Sequence, residues 1–64
     1  MNESEIKGIF IKDPSVKLNV STELRKKMMI SNDLTIIHHG NLHDIKFKNL
    51  GGGVYEVFCE RRNK

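Results

Sequence analysis

Lys17, Arg25, Lys26 and Lys27 are the residues of this chain whose type and spacing point most directly to chemistry. They lie in one run, Asp13 to Leu34 (DPSVKLNVSTELRKKMMISNDL). Val16, Leu18 and Val20 alternate with Lys17 and Asn19, the period of a half-buried strand. Ser21 and Thr22 supply side-chain oxygens able to cap free N–H groups at a helix start. Glu23 falls in the first turn, where a negative charge suits the helix dipole. Leu24 and Met28 are four apart and share one face. A strand that delivers a lysine into the start of a basic helix can hold cations toward a polyanion. The plain alternative is a solvated helix face, with Glu23 and Lys27 as an ordinary i,i+4 surface pair.

A second group is His38, His39, His43 and Cys59. Two imidazoles across a hairpin can share a metal ion, but a structural zinc site needs about four ligands. The pattern therefore reads as surface histidines, with no metal and no cofactor expected. Cys59 reads as a small buried apolar residue. No acid–base or nucleophile constellation is evident, so the chain is not expected to be an enzyme. Gly51-Gly52-Gly53 is no phosphate loop, because no Lys-Ser/Thr helix follows it.

Length limits how these residues can be held. A domain of 64 residues buries only about 60% of the surface its unfolded chain exposes. With one cysteine there is no internal disulfide, and oligomerisation is the usual remaining support. Eleven basic against eight acidic residues, with a pI near 9.3, permit nucleic-acid binding without establishing it. No apolar stretch approaches the roughly 20 residues of a membrane span. The acids of MNESEIKG stand where a signal peptide carries bases. With the lone cysteine, this gives a cytoplasmic expectation.

The expected elements are mainly strands. Residues 1–5 are polar and expected to be disordered. Ile9, Phe10 and Ile11 in succession suggest a strand over 6–12, and Asp13-Pro14-Ser15 a turn. A strand over 16–20, antiparallel to the first, leads into a helix over about 22–29, ended by Ser31-Asn32-Asp33. Residues 34–39 and 42–48 form a hairpin closed by Gly40-Asn41, which sets His38 against His43, Ile36 against Ile45 and Leu34 against Phe47. His39 then lies on the opposite face from His38. After the triple glycine, Val54 to Arg61 is a last strand, followed by a basic tail.

The Asp13–Leu34 run resembles the AbrB-type DNA-binding domain of bacterial transition-state regulators and some antitoxins. That family's pattern is D-x-x-G-R-hydrophobic-x-I-P-x-E-L-R-[RK]-x-L-G-I-x-x-G/D-D-x-L. Asp13-Pro14-Ser15-Val16-Lys17 stands at D-x-x-G-R, Leu18 to Lys26 covers the segment around I-P-x-E-L-R-[RK], and Met28-Met29-Ile30 stands at L-G-I. Val16 replaces a glycine, Lys17 an arginine, Ser21 a proline and Met29 a second glycine. A basic position in the first strand of some members falls on Phe10.

The resemblance implies a swapped-hairpin β-barrel, mainly β with one short helix, built as an interleaved homodimer. Residues 6–48 would be the DNA-binding domain, and 49–64 a glycine-rich turn, an additional C-terminal strand and a basic tail. It implies a bacterial or phage transcription regulator that binds double-stranded DNA through Lys17, Arg25 and Lys26. The alternative is a protein-interaction module of the same fold, an antitoxin or small inhibitor, that engages a partner protein through the last strand.

Overall fold

The structure, a computed structural model, describes residues 1–30 and 34–62. Its elements in chain order are α1 (Glu3–Lys12), β1 (Leu18–Ser21), α2 (Thr22–Ile30), β2 (Thr35–His38), β3 (Asn41–Gly51) and β4 (Val54–Arg61). The four strands make one antiparallel sheet in the order β1-β4-β3-β2. The expected helix end at Ser31-Asn32-Asp33 and the last two tail residues lie outside the described residues.

The first element corrects the sequence reading. Residues 6–12, expected as a strand, belong to helix α1, which begins within the stretch expected to be disordered. A capping box starts it. The Asn2 side chain accepts from the Glu5 N–H at 2.9 Å, and the Glu5 carboxylate accepts from the Asn2 N–H at 3.3 Å. Ile6 and Phe10, four apart, fall on one face and are fully buried, whereas Ile11 is 51% exposed. The succession Ile9-Phe10-Ile11 is thus a helical face with one apolar neighbour pointing out, not a two-faced strand. Asp13 ends the helix, donating its N–H to the Ile9 carbonyl at 2.9 Å. Its carboxylate accepts from the Ser15 N–H and hydroxyl at 3.0 and 2.6 Å, which forms the expected turn.

With α1 a helix, β1 has no strand before it to pair with. It pairs instead with β4, Leu18 opposite Val57 through Ser21 opposite Val54. The hairpin register also differs from expectation. Its loop is His39-Gly40, not Gly40-Asn41, and pairs Ile36 with His43 and His38 with Asn41. Both loop residues have positive φ, +50° and +78°. The type I′ turn demands this, and its twist matches the strands. The shift moves each partner by two residues, so the expected sharing of faces survives. The β4 bounds are as expected, 54–61. A bulge between Asn49 and Gly51 precedes the Gly52-Gly53 turn, where glycine accepts φ of +63° and +80° more readily than residues with a Cβ.

Val20, Ile36, Ile45 and Val57 bring one sheet face into contact with Ile6 and Phe10 of α1 and Met28 of α2. Both helices therefore lie on that face. The other face carries Asn19, Glu56, Phe58, Glu60, Lys46 and Lys48 and is uncovered among the described residues. The protein is a small mainly-β domain with two short helices.

Candidate nucleic-acid interface

Ser21 is the last residue of β1, and its hydroxyl accepts from the Leu24 N–H at 3.2 Å. The strand therefore caps the helix it runs into. Thr22 fixes the junction from the other side. Its N–H and hydroxyl both donate to the Gly53 carbonyl, at 3.2 and 3.1 Å, tying the start of α2 to the β3–β4 turn. Leu24 and Met28 turn inward as their spacing required. That leaves Glu23, Lys26 and Lys27 along the outer side of α2, with Ile30 beyond them.

Arg25 is not on the exposed face that the sequence suggests. It is half-buried, with its guanidinium carbon 4.6 Å from the centroid of the Tyr55 ring. Tyr55 pairs with Val20 and so belongs to the helix side of the sheet. The ring holds the cation by its quadrupole and limits its swing. Arg25 Nε is buried without a hydrogen-bond partner among the described residues. Lys26 follows in the chain and is exposed. The ion pairs among the described residues are Lys7–Glu3, Lys46–Glu60 and Arg62–Asp44, and none of them involves α2. The i,i+4 pair of Glu23 with Lys27, the plain expectation for this helix, is not among them. Lys27 therefore joins the exposed cations of α2.

Lys17 stands apart from these. It immediately precedes β1, outside the strand, and is exposed. Arg25 and Lys26 are successive residues of α2, whereas Lys17 lies in the segment before β1. The uncovered face carries Phe58 and, in register with it, Lys46. That face also carries Glu56, Glu60 and Asp44, with Lys46 near Glu60 at 4.0 Å. Its mixed charge suits a polyanion less well than α2.

The bases near the end of β4 have intramolecular partners. Arg61 donates to Asn41 Oδ1 at 3.0 Å, and Arg62 grips Asp44 through Nε and Nη2. This pairing holds the Asp44 carboxyl below the usual range and raises Arg62. Cys59 is half-buried, and burial pushes its thiol up to about 11. His38 and His39, expected on opposite faces, are stacked with ring centroids 4.0 Å apart. No group of three or more His, Cys, Asp or Glu among the described residues is placed to hold a metal ion. No helix among the described residues is long and apolar enough to cross a membrane.

Comparison with known proteins finds no matching family model, curated protein or solved structure. The AbrB-type resemblance rests on the sequence alone, over roughly residues 7–47.

Proposed function

We propose that the chain is a small DNA-binding regulator that engages duplex DNA through α2 and acts as a homodimer. The observation that carries the reading is the disposition of α2. Lys26 and Lys27 are exposed and have no ion-pair partner among the described residues, while the Tyr55 ring restrains Arg25 beside them. Lysines place charge against phosphates, and a restrained guanidinium adds direction. The reading includes the interleaved homodimer implied by the AbrB-type resemblance. Its support is the apolar surface that a single chain leaves exposed, with Ile30 at 78%, Ile37 at 63% and Ile11 at 51%.

A salt titration of binding to random duplex DNA tests this. Three cations per subunit give roughly six phosphate contacts per dimer and a log–log slope near about −5. Arg25→Ala and Lys26→Ala each weaken binding and flatten the slope by about one to two units, roughly one for each phosphate no longer neutralised. Lys17→Ala leaves the slope unchanged if α2 alone faces DNA. No binding at low salt overturns the proposal.

One observation favours a second reading, a module that binds a protein. Among the described residues β1 pairs with β4 only over Val54–Val57, so β4 from Phe58 to Arg61 is paired on the β3 side alone. Such an edge can accept a strand from a partner. Backbone protection at 58–61 on adding a partner, with no DNA affinity, would select it.

A further inference from the structure

Three imidazoles gather where the β2–β3 hairpin meets the end of α1. His38 Nδ1 lies 2.7 Å from the Ile11 carbonyl oxygen. A carbonyl only accepts, so Nδ1 carries the proton and donates it. In the neutral ring this leaves the Nε2 lone pair free. Metal-binding histidines are commonly oriented this way, the second nitrogen donating to a backbone carbonyl. The His43 ring centroid is 6.2 Å from that of His38, with the planes at 71°. The two residues are diagonal neighbours on one sheet face, since Ile36 pairs with His43 and His38 with Asn41.

We propose that His38 and His43 form a binding site for a divalent transition-metal ion, with Nε2 of His38 as one ligand and water completing the shell. Imidazole pairs select ions of the zinc and copper type over magnesium or calcium. Because no third protein ligand is in place among the described residues, the site is open and exchangeable, unlike a closed structural zinc centre. His39 stacks on His38 at 4.0 Å and steadies its ring without being a ligand. Arg61 is paired in register with His43 and opposes a bound cation, although its bond to Asn41 holds it near the turn. Since His38 is also bonded to α1, a bound ion would clip the hairpin to that helix.

Calorimetric titration of the full chain with Zn2+ and with Cu2+, alongside imidazole NMR, tests the site. Binding is expected to perturb the His38 and His43 resonances first. His43→Ala should weaken it by about tenfold or more, the loss typical of disturbing a ligand's support or the ligand itself. Arg61→Gln should tighten binding by removing a repulsive charge, and His39→Ala should leave it within a few-fold. Circular dichroism of each variant separates loss of the ion from loss of the fold. If folded His43→Ala binds Zn2+ like the wild type, or if the wild type takes up neither ion at millimolar concentration, the proposal is overturned.

Discussion

Arg25 lies over the face of Tyr55, guanidinium carbon to ring centroid 4.6 Å, joining the basic helix to a strand far along the chain. A contact of this kind at a partly exposed site is worth about 0.5–1 kcal/mol. A double-mutant cycle with Arg25→Ala and Tyr55→Leu, measured by urea unfolding, should return a coupling of that size. Zero coupling would mean that the ring does not restrain the arginine.

Phe10 tests the helix that replaces the expected strand. It is fully buried against the sheet, and Phe10→Ala should cost about 3–5 kcal/mol, enough to unfold much of a domain this small. Ile11→Ala, one residue on but half-exposed, should be far milder. Similar losses at both positions in thermal melts would be the signature of a two-faced strand instead.

Acid should weaken the fold through Asp44. Its carboxyl is held below the ordinary value of 3.8, first by the hydrogen bonds from Arg62. A carboxyl lowered in the folded state adds stability above its unfolded pKa and loses it as pH falls through the folded one. Stability should therefore decline below about pH 4, and Asp44→Asn should flatten that decline. The pair is exposed, so the effect is small. An unchanged acid profile in the variant would mean that the Arg62 contact contributes nothing in solution.

Cys59 should be slow to alkylate. Burial pushes its thiol up to about 11, so little thiolate is present near neutrality. A thiol raised in the folded state adds no stability at low pH and costs stability as pH climbs from its unfolded pKa toward the folded value, because the unfolded chain releases the proton first. Iodoacetamide should label the native protein much more slowly than the urea-unfolded chain. Equal rates at about pH 8, close to the ordinary thiol pKa, would place the thiol in solvent.

The parts of the fold legible in the sequence are those decided by near neighbours. The Asp13 turn, the Ser21 cap, the inward pair Leu24 and Met28, and the bounds of β4 all follow from residues a few positions apart. Helix α1 is also written locally, in the Asn2–Glu5 box and the Ile6–Phe10 spacing. Ile9 and Ile11 blur that period with apolar side chains off the main stripe. The hairpin turn is displaced by one residue from its expected place because Gly40 suits either position of a two-residue loop. His39 at φ +50° decides it, and histidine tolerates that region better than most side chains. At the site, Lys26 is readable as exposed. The Arg25 contact with Tyr55 depends on β1 meeting β4, a pairing no local pattern announces.

That same pairing sets an order of assembly. Leu18 faces Val57 and Ser21 faces Val54, so β1 borders a strand that leaves the ribosome well after it. On a nascent chain lengthening from its N-terminus, the residues of β1 must wait without a sheet neighbour until β4 arrives. The hairpin of β2 and β3 can close early, because its partners are neighbours in sequence. A ribosome-bound fragment ending before Gly53 would therefore have α2 without its anchor and Arg25 without its ring. The basic helix acquires its final setting only as β4 is added.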